Sequence, residues 1–166
     1  DVVDPSGLVR SQVVESEAVA GGSGGLRLTL NGAENRRTLA GHFIAESFGS
    51  SVQHIAFTSS DIFATAESMA ALGFQPLEIT PNYYDDLEAR FGLDPALAGR
   101  LRTHNILYDR DQNGEFFQLY SRNFGEGFFF EIVERRGGYA GYGGPNAPFR
   151  IAAQKRAIRP KGMPRI

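Results

Sequence analysis

Cysteine is absent from the 166 residues of this chain, which rules out disulfides, thiolate nucleophiles and cysteine-ligated zinc or iron–sulfur clusters. Histidine is scarce, because only His42, His54 and His104 are present. A metal ion would therefore have to bind through these histidines and through carboxylates. The sequence also lacks a Gly-x-Gly-x-x-Gly or Walker-type Lys-Ser/Thr motif, which argues against a nucleotide-binding fold.

Long apolar runs and blocks of one charge are also missing. The 17 Lys and Arg residues nearly balance 19 Asp and Glu, and no basic stretch could follow a phosphate backbone. No segment is apolar enough to span a bilayer, and residues 1–5 lack the basic start and apolar core of a signal peptide. These features predict a cytoplasmic protein without a nucleic-acid or membrane partner.

Hydrophobic periodicity predicts both strands and helices in this chain. Alternation of apolar and polar residues indicates strands, whereas apolar residues three and four apart indicate helices. The glycine-rich segment 21–25 is expected to be the tip of a hairpin. The expected strands are at 7–16, 26–31, 52–58, 77–80, 105–109, 115–121 and 128–134, and the expected helices lie within 34–48, 61–73, 82–91, 94–104 and 148–158.

Two of these strands carry polar groups among apolar neighbours. Alternation places Glu131 on one face with Phe129 and Val133, where an unpaired carboxylate would be costly. A divalent metal, an arginine or protonation would each satisfy it. His54 and Glu131 are two ligand types of a 2-His-1-carboxylate iron site. The alternative is an arginine-paired glutamate and a histidine bonded to the backbone.

A second polar pair lies on the expected strand 115–121. Gln118 and Tyr120 share a face there, and they could line the same cavity as Glu131. Polar groups along an aromatic wall suit a small aromatic or keto-acid ligand. A glutamine that is bonded to neighbouring groups of its own sheet is an equal alternative. His42, on the connecting helix, and His104, at a helix-to-strand junction, are expected to be surface residues.

Residues 51–57 resemble the strand that carries the second metal ligand in the 4-hydroxyphenylpyruvate dioxygenases. The resemblance extends from residues 7–11 to about Gln154 and so covers nearly the whole chain. Four further motifs follow in the order of that family, at 82–87, 106–111, 117–120 and 129–133.

The resemblance implies an α+β fold of the vicinal-oxygen-chelate type (glyoxalase/extradiol dioxygenase-like), in which paired βαβββ modules form a half-open barrel around a metal. Residues 1–50 would be the remainder of a preceding module, a hairpin plus a connecting helix. Residues 51–160 would be a dioxygenase-like βαβββ module with a C-terminal helix, and 161–166 a tail. Because Asp1 begins in what resembles the middle of a strand, the first module is expected to be truncated.

The same resemblance implies a set of site residues. His54 matches the second histidine ligand of the family and Glu131 its carboxylate ligand. The positions that line the substrate cavity are matched by Gln53, Gln118, Tyr120, Phe129 and Tyr142. The pattern of strand faces independently groups four of these seven residues, but it gives none of them a catalytic role.

Two departures from the dioxygenase pattern affect the expected chemistry. The first histidine ligand of the family lies on the opening strand of the preceding module, which would fall before Asp1. Two of the three ligands are then supplied by this chain. The family also closes its cavity with a Gly-Asn-Phe sequence, whereas this chain has Asn146 followed by Ala147. Stacking on the substrate would be weaker without that aromatic ring.

Residues 136–148, together with 151–154, are most similar to a fusion family. In that family a dioxygenase-like domain is appended to a 3-dehydroshikimate dehydratase of the TIM-barrel, sugar-isomerase type. The resemblance implies that the chain is the metal-binding C-terminal part of such a dehydratase, which forms protocatechuate from 3-dehydroshikimate. The first alternative is an iron-dependent 4-hydroxyphenylpyruvate dioxygenase that forms homogentisate, and the second is a non-catalytic structural or oligomerisation domain.

The expected cofactor is a divalent metal, which would be Fe(II) in a dioxygenase and Mg, Mn or Co otherwise. The expected partners are a small aromatic or keto-acid ligand and the upstream module or TIM-barrel domain of the same protein. Homo-oligomerisation is left open.

Overall fold

The computed structural model describes residues 1–17, 25–125 and 127–158. Most of the expected hairpin tip, 21–24, and the expected tail, 161–166, lie outside these residues. The chain divides into two compact units, Asp1–Ser50 and a second unit from Ser51 onward. Across the described ranges, no helix combines the length and apolarity needed to cross a membrane.

The first unit is a three-stranded antiparallel sheet followed by a helix. Asp4 is buried and accepts a 2.8 Å hydrogen bond from the backbone N–H of Leu39, which ties the first strand to the start of the helix. Thr38 caps the same helix by accepting from the N–H of Gly41 at 3.0 Å. The elements are β1 (Val2–Asp4), β2 (Gly7–Glu15), β3 (Arg27–Ala33) and α1 (Leu39–Glu46), with strand order β1-β2-β3.

The second unit is a four-stranded mixed sheet with helices. β4 runs parallel to β7, while β6 is antiparallel to both β5 and β7, and the strand order is β4-β7-β6-β5. The elements are β4 (His54–Thr58), α2 (Ile62–Ala71), α3 (Pro81–Phe91), α4 (Pro95–His104), β5 (Leu107–Arg110), β6 (Gly114–Tyr120), β7 (Phe129–Gly137), a 3₁₀ turn (Gly144–Asn146) and α5 (Ala147–Ile158).

The helix boundaries of this unit follow from local chemistry. Asp61 accepts hydrogen bonds from the first N–H groups of α2, and Asp94 does the same for α4 ahead of Pro95. Gly92 ends α3 in the left-handed conformation, with φ +57. The expected strand at 77–80 is wrong. This segment forms no ladder, and the nearby pairing is an isolated bridge between Pro76 and Ser121.

The sheet of the second unit has two different faces. On one, which we call the helix-covered face, Phe117, Leu119 and Ile132 belong to the main hydrophobic core, and Phe63 of α2 packs edge-on against Phe117 at 6.0 Å. The other, which we call the site face, carries His54 of β4, Gln118 and Tyr120 of β6, and Glu131 of β7. These are the side chains that the sequence predicts to share a cavity.

Candidate metal centre

Strand register brings the predicted metal ligands together on the site face. His54 pairs with Phe129 across β4 and β7, and Ala56 pairs with Glu131. His54 and Glu131 are therefore diagonal neighbours on the same face. The His54 imidazole stacks on the Phe129 ring with centroids 4.8 Å apart and an interplanar angle of 4°. This stacking fixes the plane in which the histidine nitrogen can present its lone pair.

The two side chains approach within range of a shared ion. Nε2 of His54 lies 3.6 Å from Oε2 of Glu131, whose side chain is 9% exposed. Two ligands of a single ion, each at ~2.0–2.2 Å, can be at most ~4.4 Å apart. The observed separation meets this condition without movement of either strand. Among the described residues no arginine lies within 4.0 Å of the Glu131 carboxylate, which argues against the alternative of an arginine-paired glutamate.

Gln118 holds the second oxygen of the same carboxylate. Its Nε2 donates to Oε1 of Glu131 at 2.8 Å and to the hydroxyl of Tyr120 at 2.6 Å. Tyr120 and Glu131 are directly opposite in the β6–β7 ladder, which keeps all three side chains on one face. With Oε1 engaged by an amide, Oε2 is left facing His54.

Gln118 is itself fixed by residues from other elements. Its Oε1 accepts a 2.8 Å hydrogen bond from Nδ2 of Asn146, which is 1% exposed. Oδ1 of Asn146 accepts from the hydroxyl of Tyr83 at 2.8 Å, and that hydroxyl accepts from the backbone N–H of Tyr108 at 2.8 Å. The chain of hydrogen bonds from Tyr108 through Tyr83, Asn146 and Gln118 to Glu131, which faces His54, is called the orienting chain below. It fixes which way the amide of Gln118 faces.

A glycine turn leaves room for this arrangement. Gly143 has φ +65, and a Cβ there would clash with Oε1 of Gln118 and lie 2.8 Å from its Cδ. Its N–H donates to the hydroxyl of Tyr139, which in turn donates to Asp109 at 2.6 Å. The turn before α5 is therefore anchored to β5 while its backbone lies directly against Gln118.

The electrostatics of the site favour neutral side chains around Glu131. Burial lowers the pKa of His54, the charge of Glu131 opposes that shift, and the charge of Arg150 adds to it. Burial, followed by the charge of Glu131, raises the pKa of Tyr120 well above its ordinary value. A neutral imidazole beside a carboxylate is a donor set that suits divalent ions.

Tyr142 and Gln53 are the remaining predicted cavity residues. Tyr142 is 55% exposed, and the backbone oxygen of Gln53 accepts from the N–H of Phe129 ahead of β4. His42 is exposed, as expected. The expectation for His104 is wrong, since its side chain is only 19% exposed and packs against the Phe63 ring at 6.1 Å. Within residues 1–17, 25–125 and 127–158, no three His, Asp or Glu side chains gather around one point suited to a metal.

Sequence reasoning missed three residues of this region: Tyr83, Asn146 and Arg150. Each lies on a helix or turn outside the strands, so strand periodicity carries no signal for it. In the sequence, Asn146 draws attention only because it precedes Ala147, where the dioxygenases are expected to have an aromatic residue. Its contact with Gln118 is visible only in the packed structure, where the turn before α5 lies against β6.

Comparisons with known proteins agree with this architecture. The chain is 47% identical over 155 residues to a 3-dehydroshikimate dehydratase of Pseudomonas putida, a match that covers 93% of this chain and 24% of that protein. It is 36% identical over 104 residues to a 4-hydroxyphenylpyruvate dioxygenase of Caenorhabditis elegans, covering 59% of this chain and 26% of that protein. The chain thus spans about a quarter of the length of these curated relatives. No family model matches the sequence.

A solved structure shows the same relationship. A xylose isomerase-like TIM barrel/4-hydroxyphenylpyruvate dioxygenase fusion protein superimposes with a TM-score of 0.69 at 42% identity, covering 88% of this chain and 23% of that one. The two open sheets with their helices are compatible with the vicinal-oxygen-chelate fold that the sequence implies. Over most of its length the chain is thus similar both to part of a 3-dehydroshikimate dehydratase and to part of a TIM barrel/4-hydroxyphenylpyruvate dioxygenase fusion protein.

Proposed function

We propose that this chain is the C-terminal, metal-binding part of a 3-dehydroshikimate dehydratase. The assignment to such a protein is supported by 47% identity over 93% of the chain. The metal role depends on one observation, the 3.6 Å approach of His54 to Glu131 while Gln118 holds the other carboxylate oxygen. A buried carboxylate and a neutral imidazole held in this way make two adjacent positions for one divalent ion.

In this proposal the remaining ligand comes from outside the described residues. Residues 1–50 are the remainder of a preceding βαβββ module that would supply a histidine, and residues 51–160 are the module that holds His54 and Glu131. A TIM-barrel domain upstream in the same protein carries the dehydration of 3-dehydroshikimate to protocatechuate. The fusion structure, which pairs a TIM barrel with a dioxygenase-like part, supports this arrangement.

Each side chain of the site has a defined task. His54 and Glu131 bind the ion, Gln118 orients the carboxylate, and Phe129 holds the imidazole plane. A bound divalent ion would act as a Lewis acid toward a carbonyl or carboxylate oxygen. The buried Tyr120 stays protonated at neutral pH, so it can accept from Gln118 without adding charge beside Glu131. The ion would be Mg, Mn or Co in the dehydratase and Fe(II) in a dioxygenase.

The first prediction concerns metal stoichiometry. Replacing Glu131 with Gln should remove one equivalent of tightly bound Mn(II) from the full-length protein, or lower the affinity for that equivalent at least about tenfold. The reason is that the amide offers no negative charge to the ion. His54→Gln should act on the same equivalent. Anaerobic titration with Mn(II), followed by electron paramagnetic resonance, measures both effects.

His42→Gln is the matched control, because His42 is exposed in the first unit and its Nδ1 lies 4.0 Å from Glu46 in an ordinary surface pair. It should leave the Mn(II) equivalents unchanged. Unaltered stoichiometry and affinity in both Glu131→Gln and His54→Gln would contradict the metal role of the pair.

The second prediction separates the dehydratase from the dioxygenase alternative. The full-length protein should convert 3-dehydroshikimate and consume little or no oxygen when given 4-hydroxyphenylpyruvate with Fe(II). Ala147 is 7% exposed at the start of α5, where the dioxygenases are expected to have an aromatic ring that clamps the substrate. An oxygen electrode and an absorbance assay for the aromatic product measure the two activities.

The outcomes distinguish the three functions of the sequence analysis. Robust, iron-dependent oxygen uptake with the keto acid would favour the dioxygenase instead. Dehydration without oxygen uptake, together with Mn(II) binding that does not depend on Glu131 or His54, would favour a structural or oligomerisation domain.

A further inference from the structure

Phe48, two residues after α1, combines full exposure with a strained backbone. It is 99% exposed, and its φ is +56, in the left-handed region that residues with a Cβ avoid. For a bulky side chain this conformation is an outlier. In the part of the chain that the structure describes, the other non-glycine residue with a positive φ is Asn105. Asn105 makes use of its side chain, because its Oδ1 accepts from the N–H of Ile79 at 2.9 Å.

The turn that ends α1 is one that glycine ordinarily forms. The N–H of Phe48 donates to the oxygen of Ala45 at 3.3 Å, and the N–H of Gly49 donates to the oxygen of Ile44 at 2.9 Å. These bonds satisfy carbonyl groups at the end of the helix. Gly92 ends α3 with nearly the same backbone, at φ +57. Glycine at position 48 would close the turn of α1 without strain, yet the sequence has a phenylalanine there.

The described part of the chain does not compensate for this strain. At 99% exposure the ring of Phe48 buries almost no apolar surface among these residues. Strained residues persist where their surroundings over-determine them. Burial of a phenylalanine ring is a large gain for a single side chain, and buried aromatic anchors carry much of the binding energy of interfaces. The missing compensation is therefore expected from a surface outside the described residues.

The neighbours of Phe48 argue against a second copy of this chain as that surface. Glu46, Ser50 and Ser51 are exposed and polar, and Gly49 has no side chain. A two-fold contact centred on this turn would bring the same polar segment against each ring. It would offer no apolar pocket to receive either ring. The pocket is therefore expected on a different surface.

The rest of the same protein is the surface that the comparisons favour. The chain spans 24% of its dehydratase relative and 23% of the fusion structure, so most of a protein of that kind lies outside it. We propose that Phe48 is an anchor that inserts into an apolar pocket on the TIM-barrel domain upstream in the same protein. This inference rests on the proposed function for the existence of that domain.

The first test replaces Phe48 with the photoreactive analogue p-benzoylphenylalanine in the full-length protein. Irradiation and peptide mass spectrometry should identify intramolecular cross-links to the TIM-barrel domain. Leu72 is the matched position, because it is 89% exposed and also follows a helix, but has an ordinary φ of −90. The same analogue at Leu72 should give no cross-links to that domain.

Phe48→Gly separates the anchor from the strain. Glycine relieves the backbone, so a phenylalanine without a partner predicts no loss of stability and no change elsewhere. An anchor predicts that a segment of the TIM-barrel domain exchanges its amide hydrogens several-fold faster in Phe48→Gly than in the wild type. Phe48→Leu, which keeps an apolar side chain, should retain part of the protection, and Leu72→Gly should leave exchange in that segment unchanged.

Cross-links between two copies, cross-links confined to residues 1–166, equal yields from the two positions, or no cross-link at either would each overturn the inference. So would unchanged exchange throughout the TIM-barrel domain in Phe48→Gly. If the variant with the analogue does not fold, the exchange measurement decides alone. Dehydration of 3-dehydroshikimate reports separately on the proposed function. A protein that dehydrates this substrate without the cross-links refutes the anchor alone, whereas a protein without dehydration refutes the proposed function whatever the cross-links show.

Discussion

Replacing Gly143 with alanine should lower the free energy of unfolding by roughly 3 kcal/mol and disrupt the candidate metal centre. Part of the loss comes from the left-handed backbone at φ +65, which costs a residue with a Cβ about 1–2 kcal/mol. The rest comes from the methyl group, which would clash with Oε1 of Gln118. Because Gln118 cannot retreat without releasing Glu131, the carboxylate should lose its orientation as well. Urea denaturation followed by circular dichroism measures the loss of stability.

Gly92→Ala isolates the contact from the backbone strain. Gly92 has nearly the same conformation, with φ +57, but a Cβ there would meet no atom within 4 Å. Its replacement should cost only about 1 kcal/mol and leave Mn(II) binding intact. Equal losses of stability in the two variants would mean that the contact with Gln118 does not contribute to the loss of stability in Gly143→Ala.

Replacing Asn146 with alanine should destabilise the protein by about 2–4 kcal/mol and weaken Mn(II) binding several-fold. The substitution leaves the buried Oε1 of Gln118 without its partner and removes one acceptor of the Tyr83 hydroxyl, which keeps the backbone oxygen of Tyr108 at 3.1 Å. An unsatisfied buried polar group costs about 1–3 kcal/mol. Free of Asn146, the amide of Gln118 can rotate away from Glu131. Urea denaturation and Mn(II) titration measure the two effects.

Asn113→Ala is the control for removing an asparagine side chain. Asn113 is exposed in the β5–β6 turn, and its hydrogen bonds are made by its own backbone N–H and carbonyl oxygen, which the substitution keeps. A second comparison uses Tyr83→Phe. If the orienting chain acts as a unit, Tyr83→Phe should lower the free energy of unfolding by less in the Asn146→Ala variant than in the wild type. Strict additivity of the two substitutions, with unchanged metal affinity in Asn146→Ala, would refute the orienting role.

The strands and their faces could be predicted because a strand has a fixed period of two. Alternation alone places Gln118 and Tyr120 on one face of β6 and Phe129 and Glu131 on one face of β7, and the register brings these faces together. The helix starts at Asp61 and Asp94 could be predicted for a similar reason, since capping is a local interaction. Strand faces and helix starts could be predicted because each depends on residues that are close together in the sequence.

What could not be predicted depends on contacts between distant segments. Asn146 reaches Gln118 because the turn before α5 packs over β6, and no periodicity encodes that packing. The same reason explains His104, whose partial burial comes from Phe63 on another helix. The expected strand at 77–80 is absent for a different reason: Leu77 and Ile79 are buried in the core, but the segment contacts the end of β6 only through an isolated bridge at Pro76 and the hydrogen bond from the Leu77 N–H to the Tyr120 oxygen.

The orienting chain links segments that are made at very different times on the ribosome. His54 and Tyr83 emerge early, Gln118 and Glu131 later, and Asn146 only when almost the whole second unit has been synthesised. A nascent chain that ends after β7 already contains the histidine and the carboxylate but has nothing to turn the glutamine amide toward them. The Gln118 amide can therefore take up its orientation in the proposed metal site only after the turn before α5 has been synthesised and has packed over the sheet.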